Sequence, residues 1–102
     1  MIAVIFKAEL GQLDDEYFLV AKRLRELAET KYGCMRIVSV TENNIELTIS
    51  YWEHLDQIKR WKTDPEHLQA QIKCRKGWYR SYQIDVTEVL DWFPRENFTD
   101  DE

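Results

Sequence analysis

Five residues in the second half of the chain have side chains that could bind and activate a flat aromatic molecule: Trp61, His67, Gln71, Trp78 and Tyr79. Tryptophan rings offer a large apolar contact surface, whereas amide and phenol groups orient a ligand through hydrogen bonds. An imidazole titrates near neutrality, so His67 is the candidate catalytic residue, which would take a proton from a ligand hydroxyl group. The candidate substrate-binding residues are Trp61, Gln71, Trp78 and Tyr79.

The spacing of these residues predicts a helix that carries most of the pocket wall. Asp64 suits the N-cap position and Pro65 the first turn, so a helix is predicted to begin there and to run to about Ser81. Residues at i, i+4, i+7 and i+11 lie on one stripe of such a helix. This stripe consists of His67, Gln71, Cys74 and Trp78.

A neighbouring stripe of the same helix is predicted to bury against a sheet, and it consists of Leu68, Ile72 and Tyr79. A structural interpretation of the pocket residues stays open. Aromatic residues dominate the cores of small domains, so Trp61, Trp78 and Tyr79 could be ordinary core and dimer-edge residues. In that case His67 would be a partly exposed residue of the first helical turn.

The chain carries none of the usual motifs for a metal or a nucleotide. G-x-G-x-x-G, the P-loop and H-E-x-x-H are all absent. His54 and His67 fall on separate helical segments, and the two cysteines, Cys34 and Cys74, have no metal-like spacing. We therefore expect no metal site and no cofactor.

Length and composition indicate one small domain. The chain has 102 residues, 44% of them hydrophobic, with three glycines and two prolines, so a compact core is expected over residues 1–94, followed by an acidic tail at 95–102. A net charge of −5 argues against a nucleic-acid partner. The apolar start, Met1 to Phe6, is too short to span a membrane. With two cysteines and no signal peptide ahead of the fold, we expect reduced thiols and a cytoplasmic location.

Hydrophobic periodicity predicts the element order β-α-β-β-α-β. A strand from Ile2 to Ala8 is followed by an amphipathic helix that Gly33 ends. The next two strands, Cys34 to Glu42 and Ile45 to Trp52, flank a tight turn at Asn43-Asn44. A broken helical region, His54 to Lys62 and then the helix from Pro65, leads to a last strand from Tyr82 to Asp91.

This order predicts an α+β fold, the ferredoxin-like arrangement with a four-stranded antiparallel sheet and its helices on one face. In the third strand Ile45, Leu47, Ile49 and Tyr51 form the predicted core face, and the alternating set that ends at Trp52 is mixed. Because the first strand is apolar on both faces, the sheet needs a second cover. A second copy of the chain is the simplest one, which predicts a homodimer through sheet-to-sheet packing.

The stretch from Tyr51-Trp52-Glu53 through Trp61 and Asp64-Pro65-Glu66-His67 to Trp78-Tyr79 resembles the antibiotic-biosynthesis-monooxygenase (ABM) family. The resemblance implies a dimeric α/β barrel. Some members oxidise polycyclic phenols with molecular oxygen and without metal or flavin, and use an Asn, a Trp and a Tyr to hold the substrate. Others degrade haem and hold its iron with a histidine ten residues after a helix tryptophan, together with an Asn on the first strand.

Two positions depart from these patterns. Gln71 stands ten residues after Trp61, where a haem-degrading member has its histidine, and Lys7 stands on the first strand where the Asn is expected. The first hypothesis is a cofactor-independent monooxygenase of a small phenol or quinol. The alternative is a non-catalytic dimeric ligand-binding or stress-associated module, and a haem-binding or haem-degrading protein is the third hypothesis.

Overall fold

The computed structural model describes residues 1–74 and 77–91, and of Cys74 only the backbone. Four strands form one antiparallel sheet in the order β2-β3-β1-β4. The order β-α-β-β-α-α-β confirms the predicted ferredoxin-like fold. The predicted tail at 95–102 lies outside the described residues. In chain order the elements are β1 (Ile2–Leu10), α1 (Asp15–Thr30), β2 (Arg36–Glu42), β3 (Ile45–Trp52), α2 (Leu55–Lys62), α3 (Pro65–Cys74) and β4 (Tyr79–Glu88).

Local sequence signals fix most of the element boundaries. Asn43 and Asn44 have φ values of 51° and 64° and form the tight turn between β2 and β3, as predicted. The side chain of Asp14 accepts a hydrogen bond from the Tyr17 N–H, 3.0 Å away, and thereby caps α1. The predicted break in the second helical region is confirmed, since α2 ends at Lys62 and α3 begins at Pro65.

The predicted extent of α3 and the start of β4 are wrong. The helix ends at Cys74 instead of about Ser81, and β4 begins at Tyr79 instead of Tyr82. Gly77 has a φ of 111°, which no helix allows, and its carbonyl accepts a hydrogen bond of 2.9 Å from the Gln12 N–H. The backbone approaches so closely that a Cβ on Gly11 would lie 2.2 Å from the Gly77 oxygen.

The sheet has one face under the helices and one open face. Val4 and Trp52 lie on the helix-covered face and pack with Ala28 and Ile58 of the helices. The alternation of the third strand therefore runs opposite to the prediction: the set with Glu46, Thr48, Ser50 and Trp52 lies under the helices. The predicted core set lies on the open face, where Ile5 pairs with Ile49 and Lys7 pairs with Leu47.

The middle of the helix-covered face is the best-packed part of the molecule. Trp52 is 0% exposed, and its indole N–H donates to the Ser50 hydroxyl at 2.9 Å. The Cys34 thiol is free and buried in the same cluster, and burial raises its pKa, so it is a small core residue and not a nucleophile.

Asp64 ties the start of α3 to the end of α1. Its carboxylate accepts hydrogen bonds from the Tyr32 hydroxyl and, at 2.8 Å, from the Glu66 N–H, and Lys31 lies 3.6 Å away. The Tyr32 hydrogen bond contributes most to lowering the Asp64 pKa, followed by the Glu66 N–H. Because the folded-state pKa lies below the unfolded value of about 3.9, this stabilisation is complete above that pH and is lost as the pH falls through the folded-state pKa.

We expect the variant Asp64→Asn to be less stable than the wild type at pH 7 and to lose less stability between about pH 5 and pH 2. Urea denaturation at several pH values measures the free energy of unfolding of both proteins and how it changes with pH. Asp56→Asn changes a largely exposed carboxylate paired with Arg60 and serves as the matched control. Parallel pH profiles for the wild type and Asp64→Asn would contradict the assignment.

Candidate functional site

The helices leave part of the helix-covered face open over β4. Tyr82, Ile84 and Val86 lie on the same face as the buried Val4, yet they are 63%, 41% and 47% exposed. We call these three residues the β4 shelf. Since α3 connects β3 to β4 across β1, it lies over this half of the sheet. The shelf is therefore an exposed apolar surface on which a flat ligand could lie, and we call the space above it the cleft.

The face that α3 turns toward the sheet differs from the prediction. Leu68 and Ile72 were predicted to bury against the sheet, but both are exposed. Ala70 is buried and His67 is half-buried, so α3 turns these two residues, three positions apart, inward. Gln71, one turn from His67 on the predicted pocket stripe, has an exposed side chain.

Trp52, Trp61 and His67 form the first of two aromatic groups, which we call the tryptophan group. The Trp61 ring lies 5.4 Å from the Trp52 ring and 4.6 Å, edge-on, from the His67 ring. Its indole N–H donates to the Leu24 carbonyl at 3.1 Å. Trp61 can therefore offer a ligand its ring surface but no hydrogen bond.

His67 has the properties of a base that is neutral at physiological pH. Burial is the main cause that lowers its pKa below 6.5, and the Lys62 charge lowers it further. Nδ1 is buried and has no hydrogen-bond partner among the described residues. A neutral imidazole in a partly desolvated place can accept a proton, whereas an imidazolium ion cannot.

The second group surrounds a carboxylate at the opposite end of the cleft, and we call it the tyrosine group. Glu46 accepts hydrogen bonds from the hydroxyls of Tyr17 and Tyr79, the latter at 3.1 Å. Ring contacts of 5.2–6.4 Å join the aromatic members to one another. The members are Glu46, Phe6, Tyr17, Phe18, Trp78, Tyr79 and Tyr82.

The structure thus divides the predicted site residues between two places. Trp61 and His67 lie together, and Trp78 and Tyr79 lie together in the tyrosine group. Trp78 is a buried turn residue that contacts Tyr17 edge-on, so it does not continue the α3 stripe. Lys7, where an Asn was expected, lies on the open face.

Sequence reasoning missed Glu46 and Phe6 as site residues. The two aromatic groups lie at opposite ends of β1, since Ile2 pairs with Trp52 and Leu10 pairs with Tyr79. These ends are roughly 26 Å apart at about 3.3 Å per residue. Phe6 stacks on Tyr82 between these ends. Glu46 is the one charged residue of β3, and this was the signal in the sequence that could have indicated the site.

A second groove, of about 360 Å³, lies between α1 and α3 and contains none of the predicted site residues. The ion pair of Arg23 with Glu66, 2.8 Å long, lies at its wall. Among residues 1–74 and 77–91, no three His, Cys, Asp or Glu side chains are placed to hold a metal ion. No helix in the same part of the chain is long and apolar enough to cross a membrane.

Two proteins are similar to the chain in sequence, although no protein-family model matches it. "Uncharacterized protein YqjZ" of Bacillus subtilis is 36% identical over 88 residues, which cover 85% of this chain and 77% of that protein. "Jasmonate monooxygenase ABM" of Pyricularia oryzae is 33% identical over 93 residues, which cover 87% of this chain. The matched region spans only 43% of the fungal protein.

Solved structures share the fold at much lower identity. SnoaB from Streptomyces nogalater, a cofactor-independent oxygenase, superposes with a TM-score of 0.75 at 15% identity, over 92% of this chain and 97% of its own. An antibiotic biosynthesis monooxygenase superposes with a TM-score of 0.65 at 12% identity, over 89% of this chain and all of its own. At such identities the similarity shows the fold alone.

Proposed function

We propose that the chain, which has the fold of antibiotic biosynthesis monooxygenases and is 33% identical to the jasmonate monooxygenase ABM over 93 residues, is a cofactor-independent monooxygenase of a hydroxylated aromatic compound. The observation that carries the proposal is His67, a half-buried histidine with a lowered pKa, placed edge-on against Trp61 on the side of the sheet that also carries the exposed β4 shelf. Support also comes from the SnoaB structure, a cofactor-independent oxygenase of the same fold.

The size of the cleft suits a ligand with two or three fused rings. The β4 shelf runs from Tyr82 to Val86, roughly 13 Å at about 3.3 Å per residue. Val86 pairs with Val4 near the tryptophan group, and Tyr82 pairs with Ala8 near the tyrosine group. A flat ligand on the shelf would have His67 at one end and Tyr79 at the other.

In the proposed reaction the substrate supplies the electrons. His67 accepts the proton of a ring hydroxyl, and the resulting anion transfers an electron to O₂ more readily than the neutral phenol does. Recombination forms a C–O bond at the ring, and the O–O bond then breaks. One oxygen atom stays on the ring as a quinone carbonyl and the other leaves as water, so that a phenol and O₂ give a quinone and H₂O.

The lowered pKa of His67 restricts which hydroxyl groups it can deprotonate. An ordinary phenol has a pKa of about 10, well above that of His67, whose pKa burial holds below 6.5. Proton transfer from a simple phenol to His67 is therefore unfavourable before any chemistry with oxygen. We infer that the preferred substrates carry a hydroxyl acidified by a conjugated carbonyl, as in hydroxyanthrones.

Oxygen consumption with a panel of such compounds tests the proposal. The panel includes simple naphthols, and also jasmonate, after which the fungal relative is named. We expect catalysed uptake above the spontaneous rate, highest for the acidic polycyclic hydroxyls. Saturable binding of these compounds with no uptake for any of them would instead support the non-catalytic ligand-binding module.

We further propose that the active form is a homodimer joined through the open face of the sheet. In the described residues this face carries an apolar strip across β1, β3 and β2, in which Val38 and Ile5 both pair with Ile49. Val38 is 41% exposed and Val40 is 64% exposed, although both lie on a sheet. Apolar surface of this extent is usually covered by a partner.

Val38→Glu should dissociate the dimer, because it places a charge in the proposed interface without a partner. Sedimentation of the wild type should give twice the 12.3 kDa chain mass, whereas the variant should give the monomer mass. The matched control is Val86→Glu, a valine of similar exposure on the opposite face, which should remain dimeric. A monomeric wild type at tens of micromolar would contradict the proposal.

A further inference from the structure

Glu46, Tyr17 and Tyr79 are joined by hydrogen bonds, and we call these three residues the Glu46 cluster. A carboxylate only accepts hydrogen bonds, and each tyrosine hydroxyl has a single proton. Both protons are donated to Glu46, from Tyr17 to Oε1 and from Tyr79 to Oε2. Every polar hydrogen on these three side chains is thus used inside the cluster, which can offer a ligand only lone pairs.

In the described part of the chain, the Glu46 carboxylate accepts hydrogen bonds from the two tyrosine hydroxyls, and none of the ion pairs includes it. No cation therefore neutralises its charge among these residues. About four lone-pair positions are available on a carboxylate, and the tyrosines take one on each oxygen. Glu46 and Tyr79 are both partly exposed, whereas Tyr17 is buried. A ligand can therefore reach Glu46 from the side of Tyr79.

The surroundings of Glu46 favour a flat ring as the rest of the ligand. Phe6 lies 5.9 Å from Tyr82 in a stacked arrangement and 5.3 Å from Tyr79. Tyr82 is exposed on the β4 shelf. An aromatic ligand lying on these rings would direct its edge, where its hydroxyl groups are attached, toward Glu46.

We propose that Glu46 is a positioning and specificity residue, which commits the Tyr17 and Tyr79 protons and so makes this end of the cleft a site for a ligand that donates a hydrogen bond. The ligand class is a polycyclic aromatic alcohol. The methyl ether of such an alcohol and the corresponding quinone carry only acceptor oxygens. They cannot donate a hydrogen bond to Glu46, and their lone pairs would be repelled by those of the carboxylate. Tyr79 consequently does not donate a hydrogen bond to a substrate oxygen.

The ligand class rests on the proposed function. A substrate with hydroxyl groups at both ends of its ring system would donate one to Glu46 and place the other beside His67, where the proposed reaction begins.

Anaerobic equilibrium dialysis tests the proposal with three probes: 1-naphthol, 1-methoxynaphthalene and 1,4-naphthoquinone. We expect the wild type to bind naphthol about tenfold or more tightly than the other two, as for a hydrogen bond to a charged acceptor. In Glu46→Gln the amide N–H₂ replaces one acceptor with a donor and releases one tyrosine proton. The preference should fall to about threefold or less.

Two further variants separate the role of Glu46 from that of the hydroxyl groups themselves. Tyr79→Phe exposes the carboxylate oxygen that Tyr79 had covered, so the naphthol preference should persist. Tyr51→Phe removes a hydroxyl from the open face of the sheet, on the opposite side from the β4 shelf, and it should match the wild type. Circular dichroism checks that each variant folds.

Three results would overturn the proposal: equal binding of naphthol and its ether by the wild type, loss of the preference in Tyr79→Phe with retention in Glu46→Gln, or no binding of any probe. The ratio of the naphthol and ether affinities of the wild type tests the proposal even if Glu46→Gln does not fold. Because dialysis without oxygen involves no turnover, a failure of this proposal is distinct from a failure of the monooxygenase activity.

Discussion

Replacing His67 with Gln is expected to lower kcat by about a hundredfold to ten-thousandfold, the range in which a positioned general base contributes. Glutamine keeps a similar size and polarity but cannot accept the proton. In the wild type kcat/KM should decrease as the pH falls below 6.5 and reaches the lowered pKa of His67, because only the neutral imidazole acts as a base. The variant should lack this part of the pH profile.

His54→Gln is the matched control for this experiment. His54 is the other histidine of the chain, its side chain is largely exposed, and it precedes α2 as the N-cap residue. Its backbone N–H, which donates to the Gln57 side chain at 3.0 Å, is kept in the variant. Equal losses in the two variants, or an active His67→Gln, would show that His67 is not the base.

Replacing Trp52 with Ala is expected to lower the free energy of unfolding by about 3–5 kcal/mol, as for other large aromatic residues removed from a core. Trp52 is the fully buried large side chain of the described core, and the change also leaves the Ser50 hydroxyl without its donor. Since domains of this size are stable by about 5–15 kcal/mol, the loss is a large fraction of the total.

Urea denaturation followed by far-UV circular dichroism measures this effect, since the substitution removes a fluorescent tryptophan. Leu90→Ala is the control: Leu90 is 89% exposed, and its loss should change stability by no more than about 0.5 kcal/mol. A Trp52→Ala variant within about 1 kcal/mol of the wild type would contradict the assignment of Trp52 to the core.

The fold followed from patterns that act locally. The asparagine pair requires positive φ, Asp64-Pro65 starts a helix, and the period of each hydrophobic segment gave the element order. The end of α3 could not be predicted, because the contact of Gly77 with Gly11 joins residues that are far apart in the sequence. The helical spacing of residues continues from Pro65 to Ser81, so the sequence pattern alone predicts a longer helix.

The orientation of β3 was predicted wrongly for a physical reason. Its more apolar set, which includes Ile45 and Leu47, is the set that a second copy of the chain would cover in the proposed dimer. The mixed set faces the helices and contains Glu46 and Trp52. A strand buried on both faces does not reveal from its composition which face packs on which partner.

The candidate site was predicted as a set of residue types, and its geometry was not. His67 and Trp61 do lie together, at 4.6 Å between ring centroids. Trp78 and Tyr79 belong to another group, which is built by the Gly77 turn and the start of β4. Glu46 joins this group through hydrogen bonds. It is distant in the sequence from the residues that helical spacing had identified as site candidates.

The most direct test of the central claim is the reaction of the purified protein, freed of metals and flavins, with a hydroxyanthrone under ¹⁸O₂. The proposed function predicts that the quinone gains one ¹⁸O atom per molecule, that the second ¹⁸O atom appears in water, and that one O₂ is consumed per quinone. Quinone formed without ¹⁸O, or at the rate of the protein-free solution, would contradict it.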